Sequence, residues 1–193
     1  MSWSLLAEVS FWSLLMDTRN VIDFYKEWEL DAIRADLDTK RLPFITAFEH
    51  VNGDFNKATG IRNTNAFLGR EVWIVGEKAK RYDKRGTVGT HHYEHVRYAE
   101  NWVRVWTDIP DIGDYRIVAV DNVDNSRPIC DYDWSEKTLM MFGEEQRGLS
   151  DEALMLADDI VHIPMRGSVR SLNVGTASGI AMYDYFMKTG VNV

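Results

Sequence analysis

Residues 139–190 read LMMFGEEQRGLSDEALMLADDIVHIPMRGSVRSLNVGTASGIAMYDYFMKTG, and this stretch decides the fold. Leu139 to Phe142 is a short apolar run that stops at Gly143, the pattern of a strand buried on both faces. Glycines at 143 and 148 bracket a charged turn, Gly143-Glu144-Glu145-Gln146-Arg147-Gly148. Ser150 suits the N-cap of a helix beginning near Asp151, and Asp151 and Glu152 suit its positive end. Ile160 to Met165 reads as a second strand, with Pro164 at its end because proline cannot donate to a ladder. Residues 167–173 form a polar loop, and Val174 to Lys188 a helix of small and apolar residues. Two glycine-bearing turns thus follow two apolar strands. Such turns are either a place where backbone meets a ligand, outside the carboxyl ends of strands, or ordinary connections of an α/β domain.

Working outward, Leu42 to Val51 (LPFITAFEHV) predicts the first core strand, and Asn52-Gly53-Asp54 is turn chemistry. Asn56 to Leu68 (NKATGIRNTNAFL) predicts a helix stopped by Gly69 in the usual position after a helix end. Glu71 to Gly76 predicts a second strand, so the unit is strand, helix, strand and favours parallel pairing. Residues 77–100 read as a loop, and 101–106 give no clear pattern. Tyr115 to Val120 is a strand, and 121–138 a loop or short helix. Residues 3–40 look helical, with Val21, Phe24, Tyr25 and Trp28 at helical spacing and Leu30, Ile33 and Leu37 continuing it. Trp3, Phe11, Trp12, Leu14 and Leu15 cluster densely enough to require burial against the domain or a partner.

A chain of 193 residues with 45% hydrophobic content suits one domain with a small appendage. Its apolar runs are too short to span a membrane. The N-terminal stretch lacks a basic start and is interrupted by Glu8, so no signal peptide is expected. The single cysteine, Cys130, suits the reducing cytoplasm. Net charge is −8, but residues 51–105 carry +4 while the segments on either side are acidic. Lys78, Lys80, Arg81, Lys84 and Arg85 fall within that basic segment, as a local patch able to steer RNA or as a solvated loop. His91, His92 and His95 lack the companions of a convincing zinc pattern, so no metal is expected.

Three ordered blocks carry a resemblance. Gly143, Glu145 and Gly148 form a glycine-x-glutamate-x-x-glycine turn; Ile163, Pro164 and Met165 follow; then Ser171, Leu172 and Asn173 open a small-residue helix. Upstream, Asn56 precedes Arg62 by six residues, before Gly69. The chain resembles the SpoU/TrmH branch of the SPOUT RNA methyltransferases over about residues 42–190.

The resemblance implies a SPOUT-type α/β knot: a parallel sheet flanked by helices, with a C-terminal deep trefoil knot. It divides the chain into an N-terminal helical extension, 1–41, and a methyltransferase domain, 42–193. It implies an S-adenosylmethionine cofactor held largely through backbone at Val120, Gly143, Ile163, Met165, Ser171 and Leu172. It implies methyl transfer to a ribose 2′-hydroxyl of RNA by a cytoplasmic homodimer, with transfer RNA favoured over ribosomal RNA by the compactness of the chain. Arg62 takes the role of activating the hydroxyl, either through a depressed pKa or by organising the target phosphate while a phosphate oxygen takes the proton. Asn56, Glu145, Ser171 and Asn173 support it, and Arg62 with the Lys78 to Arg85 cluster faces RNA. Two alternatives stay open: a non-catalytic RNA-binding or assembly module of the same fold, and a SPOUT enzyme acting on a base nitrogen.

Overall fold

The computed structural model describes residues 19–51, 53–76 and 82–189. The apolar cluster from Trp3 to Leu15 and the cations Lys78, Lys80 and Arg81 lie outside those residues. In chain order come α1 (Leu30–Asp38), β1 (Leu42–Glu49), α2 (Asp54–Ala66), β2 (Gly69–Val75), α3 (Lys84–Thr87), β3 (Val96–Ala99), α4 (Trp102–Asp108) and β4 (Arg116–Val120). Then follow β5 (Arg127–Pro128), β6 (Thr138–Phe142), α5 (Asp151–Leu156), β7 (Asp159–His162) and α6 (Val174–Lys188). The seven strands form one sheet in the order β3-β2-β1-β6-β4-β7-β5. Every pairing between them is parallel.

The centre of the sheet is β6, paired with β1 on one side and β4 on the other. All five of its residues are buried. Leu139 and Met141 face a core built with Trp102, Val105, Leu149 and Ala153, beneath α4 and α5. Met140 and Phe142 face the opposite core with Phe48, Ile61, Ala181, Met182 and Tyr185, beneath α2 and α6. The alternation follows from the pleat, and burial on both faces is why no polar residue interrupts Leu139 to Phe142. Phe48 and Phe142 are register partners and their rings stack at 5.1 Å. Burying each such ring stabilises the fold by roughly 1.5–3 kcal/mol.

The strands at 42, 71, 115 and 139 and the helices at 151 and 174 lie where the sequence places them, with ends shifted by a few residues. Other readings need correction. The helix at 56–68 ends at Ala66, and the left-handed position belongs to Leu68 (φ 56°), not to Gly69. Gly69 begins β2, and a Cβ there would stand 2.6 Å from Thr64 and 2.8 Å from Phe44, so close packing demands the glycine. Residues 77–100 are not all loop: they contain α3, a 3-10 turn at Thr90–His92 and the edge strand β3. Residues 101–106 open α4, capped by the Asn101 side chain. Val21, Phe24, Tyr25 and Trp28 do not share a long helix: a 3-10 turn at Asp23–Tyr25 packs the three aromatic rings together, and among the described residues before β1 the α-helix is α1. β7 stops at His162, leaving Ile163 to Met165 as irregular backbone. Residues 121–138 include the two-residue strand β5 and a 3-10 turn.

Candidate active site

Register brings three chain exits side by side. Phe48, Phe142 and Val120 are aligned across β1, β6 and β4, so Glu49, the last residue of β1, stands level with Gly143 and Asp121, the first residues after β6 and β4. The turn after β6 is folded on itself. Glu144 and Gly148 exchange backbone hydrogen bonds at 3.1 and 2.8 Å. A Cβ on Gly143 would lie 2.1 Å from the Gly148 carbonyl carbon, and Gly148 has φ 71° beside the Asp121 carboxylate. Both glycines are therefore steric requirements of this turn.

Two carboxylates clamp the turn from its flanks. Asp121 accepts from the backbone N–H of Leu149 and of Asn122, both at 2.7 Å. Glu49, 3% exposed, accepts from the Ser150 N–H at 2.8 Å, the Ser150 hydroxyl at 2.7 Å and the Trp102 indole N–H at 2.6 Å. Ser150 in turn accepts from Ala153 N–H at 3.2 Å as the cap of α5.

The clamped turn presents Glu145 to the start of α2, where the Asn56 amide donates to the Glu145 carboxylate. Asn173 donates to Asn56 Oδ1 at 2.9 Å, and its own Oδ1 caps α6 by accepting from Thr176 N–H at 3.2 Å. The structure thus joins Asn56, Glu145 and Asn173. One helical stripe further, seven residues on, Asn63 donates to Gly175 O at 2.8 Å and to Ser178 Oγ at 3.0 Å, which binds α2 to α6.

Beside this junction lies a cleft of about 640 Å³, within the size range of ligand pockets. Val120, Gly143, Ile163, Met165, Ser171 and Leu172 all line it, and so does Glu145. Its walls combine the folded turn Gly143 to Gly148 and the irregular backbone at Ile163 and Met165, which offer main-chain groups, with apolar side chains such as Phe142, Leu149 and Leu154. Ser171 is exposed at this wall and is not joined to the Asn56 network. Arg62 is exposed on α2 and does not line the cleft. Six residues from Asn56, it sits about a third of a turn away from the Asn56 and Asn63 stripe. Lys84 and Arg85 are exposed on α3, with Arg85 paired to Asp83 at 2.6 Å. The histidines have structural partners: His91 meets Thr87 at 2.6 Å, and His95 meets Asp38 at 2.8 Å.

Sequence reading missed Glu49, Asp121 as a clamp, and Asn63. Only Asn63 left a signal, its spacing of seven from Asn56.

A parallel α/β sheet with a glycine-built cleft at its carboxyl edge defines a ligand-binding protein of the open-sheet class. Residues 43–183 match the family model described as the SpoU rRNA Methylase family, and the chain belongs to that family. It is similar to the tRNA (guanosine(18)-2′-O)-methyltransferase of Escherichia coli strain K12, 36% identical over 156 residues, covering 75% of this chain and 64% of that one. The chain therefore spans a little under two thirds of that relative's length. Among solved structures it is similar to the TrmH/SpoU tRNA modifying enzyme of A. aeolicus, with TM-score 0.72, 26% identity, and 82% and 81% of the two chains covered. It is also similar to an AdoMet-bound rRNA methyltransferase from Sinorhizobium meliloti, with TM-score 0.65, 25% identity, and 79% and 58% covered.

Proposed function

We propose that the protein transfers a methyl group from S-adenosylmethionine to a ribose 2′-hydroxyl of RNA, with transfer RNA the favoured substrate. The observation that carries this reading is the junction of Asn56, Glu145 and Asn173, brought from distant parts of the chain to the rim of the cleft. The family membership and the relatives named above support the reaction class.

The bound cofactor supplies an electrophilic methyl carbon. As the C–O bond to ribose forms, the C–S bond breaks and the hydroxyl proton must leave. The work left to the chain is to place a weak nucleophile in line and to receive its proton. Val120, Gly143, Ile163, Met165, Ser171 and Leu172 hold the cofactor, mainly through backbone. Glu145 and the two asparagines fix the floor on which the ribose rests. Arg62 binds the target phosphate through its guanidinium and sets the hydroxyl against a phosphate oxygen that takes the proton.

The exposure of Arg62, away from the cleft of its own chain, supports a homodimer in which it serves the partner's cleft. Ile180, Tyr183 and Met187 form an exposed apolar stripe along α6, and Phe67 at the end of α2 packs beside Tyr183 with ring centroids 6.3 Å apart. A second copy covering this stripe would bring Arg62 into a shared site. The knot belongs to the same proposal: the segment after β6 is threaded so that α6 returns against α2. The family match beginning at residue 43 supports reading 1–41 as an N-terminal extension. A cytoplasmic location suits an RNA substrate, and no described helix is long and apolar enough to cross a membrane.

The test uses labelled S-adenosylmethionine with total transfer RNA and, separately, ribosomal RNA from a strain lacking the protein. Label should appear on ribose in one pool and fall about a hundredfold with Arg62→Ala, the scale of a nucleophile left out of line. Label on a base would replace the ribose assignment with a base-directed one. No label in either pool, with cofactor bound, would leave an RNA-binding role.

A further inference from the structure

The first turn of α2 carries an aromatic ring that the core does not use. Phe55 is 59% exposed and directly precedes Asn56. Single exposed apolar residues are ordinary. What separates Phe55 is its place. On one side stands the Asn56–Glu145 contact at the cleft rim. On the other lies α3, docked against the same turn: Asp83 N–H donates to Asp54 O at 3.4 Å. Gly86 makes the docking possible, since a Cβ there would lie 2.8 Å from the Ala58 methyl and 3.1 Å from the Phe55 ring. The glycine backbone therefore lies close against the Phe55 ring. The same helix places exposed Lys84 on this rim, and Arg85 with it.

An exposed aromatic face beside the exposed cation Lys84, next to a site for a ribose hydroxyl, is the chemistry that holds an unpaired nucleotide. Bases taken out of a helix stack on aromatic side chains while lysine meets the backbone phosphate. We infer, resting on the reading of function above, that Phe55 is a stacking platform for an unpaired base neighbouring the target ribose, with Lys84 on the adjoining phosphate. The substrate is then RNA whose target lies in a loop or other single-stranded segment, since a base held inside a duplex has no face to offer.

The experiment compares wild type with Phe55→Ala, Phe55→Leu and Phe55→Trp. It measures kcat and KM for the RNA pool that wild type labels, S-adenosylmethionine affinity by calorimetry, and the mass of each variant in solution. The platform predicts that Ala and Leu raise the RNA KM about tenfold, the order of one lost base stack. Trp keeps the wild-type KM, and cofactor affinity and solution mass do not move. Leu acting as well as Phe would overturn the platform, because apolar packing without a π face would then suffice. A change in solution mass with Ala would overturn it in favour of a contact between copies. An unmoved KM with Ala, while wild type labels RNA, would overturn this inference alone. A wild type that labels no RNA would overturn the reading of function, and this inference with it.

Discussion

Ser150 donates both its backbone N–H, at 2.8 Å, and its hydroxyl, at 2.7 Å, to the carboxylate of Glu49, across 101 residues of chain. The pair fastens the end of β1 to the beginning of α5 and so fixes the far end of the turn that carries Glu145. Removing the carboxylate strands three donors in a buried place, the third being the Trp102 indole at 2.6 Å. Glu49→Ala should destabilise the fold by about 2–4 kcal/mol. Glu49→Gln, which keeps one acceptor, should cost about half as much. Urea unfolding midpoints check both, and equal midpoints for Glu49→Ala and wild type would show that the clamp is not structural.

Gly143→Ala tests the turn itself. The new methyl would meet backbone 2.1 Å away, and backbone cannot swing aside as a side chain can. Opening the turn should cost about 1–3 kcal/mol. It should also weaken S-adenosylmethionine binding at least about tenfold, because Gly143 lines the cleft. Calorimetry reads the second effect, and unchanged affinity would remove Gly143 from the cofactor wall.

Asn63 binds two helices that are distant in sequence. Asn63→Ala deletes its bonds to Gly175 O and Ser178 Oγ and should cost about 1–2 kcal/mol. Ser178 keeps its own bond to Gly175 O at 2.8 Å, which limits the loss. Hydrogen exchange should show faster opening in the first turns of α6. Uniform exchange across the chain would argue against a local tie.

Glu94 lies ahead of β3 and beside Arg41 ahead of β1, at the amino ends of the strands, and contributes to the pH dependence of stability. Burial pushes its carboxyl up to about 7, against the Arg41 guanidinium 2.8 Å away, which pulls it down. Between its ordinary value and about 7, the folded chain holds a proton that the unfolded chain has released. This contribution to stability is thus fully present below the ordinary carboxyl range and is lost as pH rises through the folded value. Wild type should lose stability relative to Glu94→Gln as pH climbs from about 5 to about 7. Urea titrations of the two chains at matched pH check the difference, in which all other groups cancel. Parallel curves would place the Glu94 carboxyl near its ordinary value.

The sheet was legible where strands are buried on both faces, because Leu139 to Phe142 and Ile117 to Ala119 admit no polar residue. β3 was not. Its four residues, Val96 to Ala99, form an edge with Arg97 exposed, and an edge strand needs no apolar run. Leu68 in the left-handed region was hidden by the glycine next to it, whose real constraint is crowding from Phe44 and Thr64. Among the candidate site residues, Asn56, Glu145 and Asn173 stood out by their motifs and meet in space. Glu49 and Asp121 did not, because a carboxylate that bonds to backbone N–H groups far along the chain leaves no local pattern. Arg62 stood out through the family resemblance of the Asn56 to Gly69 segment, yet it does not line the cleft of its own chain.

The strand order has a consequence for biosynthesis. β6 fills the gap between β1 and β4, although it is made long after the first and after the second. A nascent chain that has emerged only through β4 holds β1 to β3 on one side and β4 on the other, with nothing to join them. At ordinary synthesis rates of about 5–20 residues per second, that unjoined interval lasts on the order of seconds for the upstream strands. During it Phe48 and Val118 lack the neighbours that bury them in the finished sheet. Protection of chains arrested on the ribosome should therefore rise in one step, after Phe142 has left the exit tunnel, and not strand by strand.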